Sequence, residues 1–107
     1  MAKVRKYTLA WGVPPEPNDI QTIRIRCKAS PFNAQDPSDP ENYAGPFDDV
    51  GKVSQCDLPL PNTPLIDGDL SIALSSVDDV GNESDQVFLT VPFDLIAPAP
   101  PIGPHML

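Results

Sequence analysis

The sequence predicts an all-β fold, an antiparallel sandwich of about six or seven short strands. Fifteen prolines among 107 residues argue against long helices, because an interior proline removes a hydrogen bond and clashes with the preceding turn. Several short segments alternate apolar and polar side chains, which is the pattern of strands with one buried face. Turn-forming residues separate these segments and no crossover helix joins them, so the strands are expected to run antiparallel.

The clearest unit is a hairpin formed by residues 69–91. Its first half alternates, and the apolar side chains lie at Leu70, Ile72 and Leu74. A cluster of turn formers follows at 78–82, where Gly81 is expected to supply a positive φ. The segment 86–91 resumes a strand-like pattern and completes the hairpin. A lone hairpin is marginal in water, so further strands must cover its apolar face.

Two strands are predicted in the first 30 residues. The first runs from Lys3 to Trp11 and ends before a proline-rich loop. The second, from Ile20 to Cys27, has the most regular alternation of the chain. Its apolar face is formed by Ile23, Ile25 and Cys27. Its cationic face is formed by Arg24, Arg26 and Lys28. We expect the apolar face in the core and the cationic face in water, since a slip of one residue would bury three cations.

The segment 31–50 is a long acidic, proline-rich connector with little periodicity. Loops of this length are usually functional or mobile, and one short edge strand could lie within it. Three aromatic residues could pin it to the sandwich: Phe32, Tyr43 and Phe47. Lys52 to Leu60 is predicted as the next strand, with core candidates Val53, Cys56 and Leu58.

The carboxyl-terminal part predicts the end of the domain. A final short extended piece is expected at 92–96, and the proline-rich stretch 97–104 is typical of a semi-rigid linker. We therefore predict one sandwich domain over residues 1–96 and a linker or tail over 97–107.

The net charge is −8, which argues against a nucleic acid or an anionic membrane surface as a partner, because both repel a polyanion. Residues 1–30 carry six basic side chains against two acids, whereas the remainder carries one lysine against thirteen acids. No apolar run reaches the ~18 residues of a membrane-spanning helix. The amino terminus has the charge of a signal segment without its apolar region, so we expect a cytoplasmic protein or a domain of a longer exported chain.

Few residues are candidates for chemistry. Trp11 is expected to anchor the core, with ligand stacking as the alternative. Cys27 and Cys56 lie on apolar strand faces, where they form either a disulfide or two buried free thiols. His105 is the single histidine and lies in the tail, so no histidine-based triad or general base is expected. We predict no catalytic residues, no cofactor and no enzymatic activity.

Two acidic clusters are candidate contact sites. One comprises Asp36, Asp39 and Glu41, and the other comprises Asp78, Asp79, Glu83 and Asp85. Solvated acidic loops are the simpler interpretation, since neither cluster has the spacing of an EF-hand loop; Ca²⁺ ligation is the alternative. Loops on a rigid scaffold commonly bind partners. The predicted partner-contact residues are Asp78, Asp79, Asn82 and Glu83.

In its order and spacing, the chain resembles a fibronectin type III domain of the kind found in bacterial multidomain proteins. The segment Thr8–Trp11 is similar to the family's second strand, which ends in a core tryptophan. The segments 16–25, 70–74 and 79–84 are similar to later strands and loops, and 97–101 resembles an interdomain linker. The resemblance covers roughly residues 4–101 and implies an immunoglobulin-like sandwich.

Three departures from that family matter. Only ten residues precede Trp11, so the first strand is reduced or missing. Leu70 stands where the family has a tyrosine, and the connector 31–50 is longer than expected. These departures leave an immunoglobulin-like or a cadherin-like sandwich as alternatives to the fibronectin type III fold.

The resemblance implies a spacer or a protein- or glycan-binding unit of a larger surface protein, rather than an enzyme. The alternative function is a Ca²⁺-stabilised adhesion-type domain that uses the acidic loops as ligands.

Overall fold

The computed structural model describes residues 7–94 and 100–107. In these ranges the chain is all-β, and its one helical segment is the 3₁₀ turn Pro40–Tyr43. The strands are β1 Tyr7–Ala10, β2 Ile20–Lys28, β3 Asp48–Asp49, β4 Gln55–Leu58, β5 Asp67–Asp78 and β6 Val87–Asp94. Nothing within the described ranges is a helix long and apolar enough for a membrane span.

The strands form two antiparallel sheets of unequal size. β1 pairs with β4 in the small sheet, and the large sheet has the order β3-β2-β5-β6. The sheets meet through apolar side chains in an open sandwich, as alternation in the sequence predicted. The buried core comprises Leu9, Ile23, Ile25, Leu58, Leu70, Ile72, Leu74 and Phe93.

The central hairpin is longer than predicted. β5 begins at Asp67 and β6 continues to Asp94, so the final extended piece expected at 92–96 belongs to β6 as far as Asp94. The turn between them contains Gly81 at φ 89°, as predicted. The predicted short edge strand within the connector is β3.

Two predicted strands are shorter than expected. β1 is described from Tyr7, and the predicted positions 3–6 lie outside the described residues. The strand predicted over 52–60 is confined to β4. Val53 was expected in the core but is 40% exposed, because it precedes the paired part of β4. Its backbone carbonyl oxygen accepts a hydrogen bond from Trp11 Nε1 at 2.8 Å.

The prediction that the cationic face of β2 lies in water is wrong. Arg26 is only 4% exposed, and Arg24 and Lys28 are half-buried. On the same side of β5, Ser71 and Ser75 are also buried. The cause is the connector, which covers this second face of the large sheet and supplies partners for the cations.

Trp11 lies at the edge of the core rather than inside it. It is half-buried and packs against the core cluster. Beyond β6, the boundary predicted at residues 96 and 97 falls outside the described residues, and the tail from Pro100 to Leu107 is exposed and contains no strand.

Candidate functional site

The predicted contact residues lie in the turn between β5 and β6. The Asp78 carboxylate accepts hydrogen bonds from the Asn82 side-chain Nδ2 at 2.9 Å, the Asn82 backbone N–H at 2.8 Å and the Val80 N–H at 3.0 Å. These bonds, led by that of the Asn82 side chain, hold the pKa of Asp78 below its ordinary value. Asp78 and Asn82 therefore brace the turn, while Asp79 and Val80 are exposed at its tip.

Glu83 points the opposite way, toward the large sheet. Its Oε2 accepts a 2.6 Å hydrogen bond from Arg26 Nη1 and a short one from the Ser75 hydroxyl. Its Oε1 lies 3.2 Å from Arg24 Nη1. Burial raises the pKa of Glu83, but these hydrogen bonds and the two positive charges outweigh it and lower the pKa below its ordinary value. Both carboxylate oxygens are thus engaged within the chain.

Asp49 of β3 completes the charge cluster. Its two oxygens accept hydrogen bonds from Arg24 Nε at 2.8 Å and Nη2 at 3.1 Å, the bidentate geometry that suits a guanidinium group. Strand pairing places Asp49 opposite Arg24. Arg24 is therefore paired from two sides, by β3 and by the β5–β6 turn, whereas Arg26 is paired by the turn.

Aromatic rings of the connector cover the same cations. The Phe47 ring centroid lies 3.9 Å from Arg24 Cζ, and the Tyr43 centroid lies 5.5 Å from Arg26 Cζ. Lys28 Nζ lies 4.3 Å from the centroid of Phe32. Cations are attracted to the faces of such rings. The three aromatic residues predicted to pin the connector do so through the cationic face of β2.

Asn42, which the sequence did not single out, organises the connector. It is 1% exposed, and its Oδ1 accepts from the Asn33 N–H at 2.8 Å. Its Nδ2 donates to the carbonyl oxygens of Asn33 at 2.9 Å and Asp36 at 3.0 Å. The backbone carbonyl of Asn42 accepts from Gln86 Nε2 at 2.9 Å. The only local sequence signal is the Asp39-Pro40 pair, which is typical of a helical start.

The connector also contacts the β5–β6 turn directly. The Tyr43 hydroxyl lies 3.0 Å from the carbonyl oxygen of Pro37 and 3.3 Å from that of Ser84. This contact and the hydrogen bond from Gln86 to Asn42 hold the two irregular segments against one another. We call the exposed face that they form, residues 36–46 and 78–85, the connector–turn surface.

Two cavities lie where β1 and the following Trp11 face β6. One cavity of about 190 Å³ is lined by Trp11, Leu74 and Val87, among others. The next, of about 300 Å³, is lined by Leu9, Leu89 and other apolar residues. We call this feature the β1–β6 groove. No pattern in the sequence indicates this groove directly, since it depends on how far the small sheet covers the large one.

The two cysteines, whose pairing the sequence left open, are free thiols. Burial raises the pKa of Cys27 to about 11, against a smaller opposing effect of the Thr63 hydrogen bond. Burial also raises the pKa of Cys56. Thiols with raised pKa values are poor nucleophiles at neutral pH.

The acidic clusters mainly organise their own turns. Asp36 accepts hydrogen bonds from Ser38, and Asp39 accepts from the Glu41 N–H at 3.0 Å. Within residues 7–94 and 100–107, no three histidine, cysteine or acidic side chains are grouped so as to hold a metal ion. His105 is exposed in the tail.

Comparisons of the chain with protein-family models, with curated proteins and with solved structures gave no match.

Proposed function

We propose that the chain is a non-catalytic binding module whose connector–turn surface contacts a basic protein ligand. The observation that carries the proposal is the engagement of Glu83, which ties the β5–β6 turn to the sheet beneath the connector. Irregular segments held in this way lose little conformational entropy on binding, so they suit recognition.

The charge of the surface indicates the class of ligand. Asp79, Asp85 and Glu41 are exposed and form no ion pair in the described part of the chain. The described cations are occupied: Arg24 and Arg26 pair with acids, Lys52 pairs with Glu16, and Lys28 packs on Phe32. An exposed acidic surface favours a basic partner and accelerates its association.

The family resemblance supports the same proposal, because fibronectin type III-like domains serve as spacers or binding units. A non-catalytic role fits the raised thiol pKa values and the absence of a histidine outside the tail. The β-sandwich fold alone would allow many functions.

The test uses the full chain, immobilised and exposed to arrays of peptides and glycans. We expect binding to basic peptides that Asp79→Lys weakens about tenfold or more, because the substitution places a like charge at the tip of the turn. Asp57→Lys makes the same charge change at an exposed residue of β4 and should leave binding unchanged. Equal loss in both variants, or glycan hydrolysis by the chain, would overturn the proposal.

A further inference from the structure

We propose a second binding site, the β1–β6 groove, which receives an extended basic peptide as an additional strand on the edge of β1 opposite β4. Its strand edge and apolar floor lie outside the connector–turn surface, which it meets at Ser84 and Asp85, and the proposal does not depend on that surface.

The first observation is the open edge of β1. The Trp11 N–H donates to the Ser54 carbonyl at 3.0 Å, and Leu9 is aligned with Cys56 in the antiparallel ladder with β4. Because alternate residues of such a ladder bond to the same neighbour, the backbone groups of Thr8 and Ala10 point away from β4. They have no backbone partner within the described residues. An unpaired edge of this kind is a template for another strand.

The second observation is the apolar floor beside that edge. Val87 and Leu89 are 65% and 44% exposed, although strand pairing aligns them with the core residues Leu74 and Ile72. Paired residues of neighbouring strands share a face of the sheet, so both belong to the inner, core-facing side. They are uncovered because the small sheet has two strands and the large one has four.

The space fits an extended segment. The two cavities follow one another along β1, from Trp11 and Val87 to Leu9 and Leu89. A strand added to β1 would lie about 4.8 Å from it, above the exposed side chains of β6. Alternate side chains of that strand would point into the cavities, and its backbone would pair with Thr8 and Ala10.

The charge of the chain and the need for backbone hydrogen bonds determine which kind of segment can occupy the β1–β6 groove. Asp85 lines one cavity, and a chain with a net charge of −8 attracts a basic segment but repels a second copy of itself. The chain's own stretch 97–104 is rich in proline, which lacks the N–H that strand pairing needs. The occupant that fits is therefore a partner's segment of alternating apolar and polar residues flanked by lysine or arginine.

The probe is a short synthetic peptide of alternating valine and threonine with a pair of lysines at each end. We expect it to bind the full chain and to slow hydrogen exchange at the Thr8 and Ala10 amides, as NMR would show. A matched peptide with glutamates in place of the lysines should bind at least about tenfold more weakly.

Three variants locate the binding. Leu89→Lys, which places a charge on the floor, should abolish binding, and Ala10→Pro should weaken it by removing an outward N–H. Leu65→Lys makes the same substitution at a leucine that is 49% exposed in the loop before β5, outside both proposed sites, and should bind as before. Melting curves check that each variant is folded.

Three results would overturn the proposal: no binding of the lysine peptide, unchanged binding by folded Leu89→Lys, or a dimer that this substitution dissociates. Peptide binding that Asp79→Lys removes and Leu89→Lys does not would assign it to the connector–turn surface, so the two proposals can fail separately.

Discussion

Glu83 is the residue on which the arrangement of the second sheet face depends. Its carboxylate contacts Arg24, Arg26 and Ser75. Arg26 is almost fully buried, and a buried cation requires a partner because its desolvation costs several kcal/mol. Glu83 supplies that partner from a turn 57 residues further along the chain.

Glu83→Gln should destabilise the protein by about 3 kcal/mol near neutral pH, because it leaves Arg26 buried without its full counter-charge. Burial opposes ionisation of Glu83, but the Arg26 and Ser75 hydrogen bonds and the arginine charges lower its pKa in the folded state from the ordinary 4.5. A lowered pKa adds stability above that ordinary value and loses it as the pH falls through the folded-state pKa.

The difference in free energy of unfolding between wild type and Glu83→Gln should therefore shrink as the pH falls below 4.5. Urea unfolding followed by Trp11 fluorescence measures it. Asp79→Asn, in the exposed part of the same turn, is the control and should change stability little. A difference that persists or grows in acid would contradict the assigned role of Glu83.

The two thiols should react slowly in the folded protein. Burial raises the pKa of Cys27 to about 11 and also raises that of Cys56, so little thiolate exists at neutral pH. Alkylation followed by mass spectrometry should label both thiols slowly in the native state, Cys27 more slowly than Cys56, and rapidly after unfolding. Rapid labelling of the native protein, or a disulfide recovered without added oxidant, would contradict the assignment of Cys27 and Cys56 as free thiols with raised pKa values.

At this scale the sequence predicted which side chains share a face but not what faces them. Alternation correctly placed Ile23 and Ile25 in the core. It could not show that Arg26 would be buried, since that depends on Glu83 and Tyr43, which are distant in sequence. A row of polar side chains along one face of a strand is equally consistent with contact with water and with contact with a polar partner.

The connector is the element whose contacts were least predictable from the sequence. In the structure it covers the large sheet through aromatic and amide contacts. Its three aromatic residues were predicted to act as pins because large apolar side chains in a polar segment seek burial. The amide contacts of Asn42 could not be predicted, because they join backbone groups whose positions depend on the folded loop.

Asn42→Ala should loosen the connector selectively. The substitution removes the partners of the Asn33 N–H and carbonyl oxygen, and each lost hydrogen bond costs about 0.5–1.5 kcal/mol. The Asp36 carbonyl oxygen also loses the Asn42 side chain but keeps the Asp39 N–H. Hydrogen exchange should accelerate across 31–46, while the amides of β2 and β5 keep their protection. Gln35→Ala, at an exposed position in the same segment, is the matched control. Acceleration across the whole sheet, or no change at all, would contradict this role of Asn42.

For the whole molecule, the binary pattern was sufficient to predict an all-β antiparallel fold, because proline excludes long helices and period-two alternation specifies strands. The pattern did not predict the unequal sheets, which leave Val87 and Leu89 exposed. Sheet coverage depends on strand order and packing distance rather than on alternation within a strand.

Calcium should not stabilise the protein. Asp78 and Asp39 already accept hydrogen bonds from their own turns. A real site at a hundredfold excess of free ion over its Kd would add ~2.7 kcal/mol. Thermal melting with CaCl₂, compared with MgCl₂ at equal ionic strength, should give the same Tm. A calcium-specific rise that Asp78→Asn removes would support the adhesion-type alternative.

The most direct test of the account is a double-mutant cycle between Arg26 and Glu83, with Arg26→Met and Glu83→Gln measured singly and together by urea unfolding. If the connector and the β5–β6 turn enclose this pair over the large sheet, the coupling free energy should reach at least about 1.5 kcal/mol. Effects that add to within about 0.5 kcal/mol would mean that Arg26 is in water. That result would contradict the claim that the connector and the turn cover the second face of the large sheet.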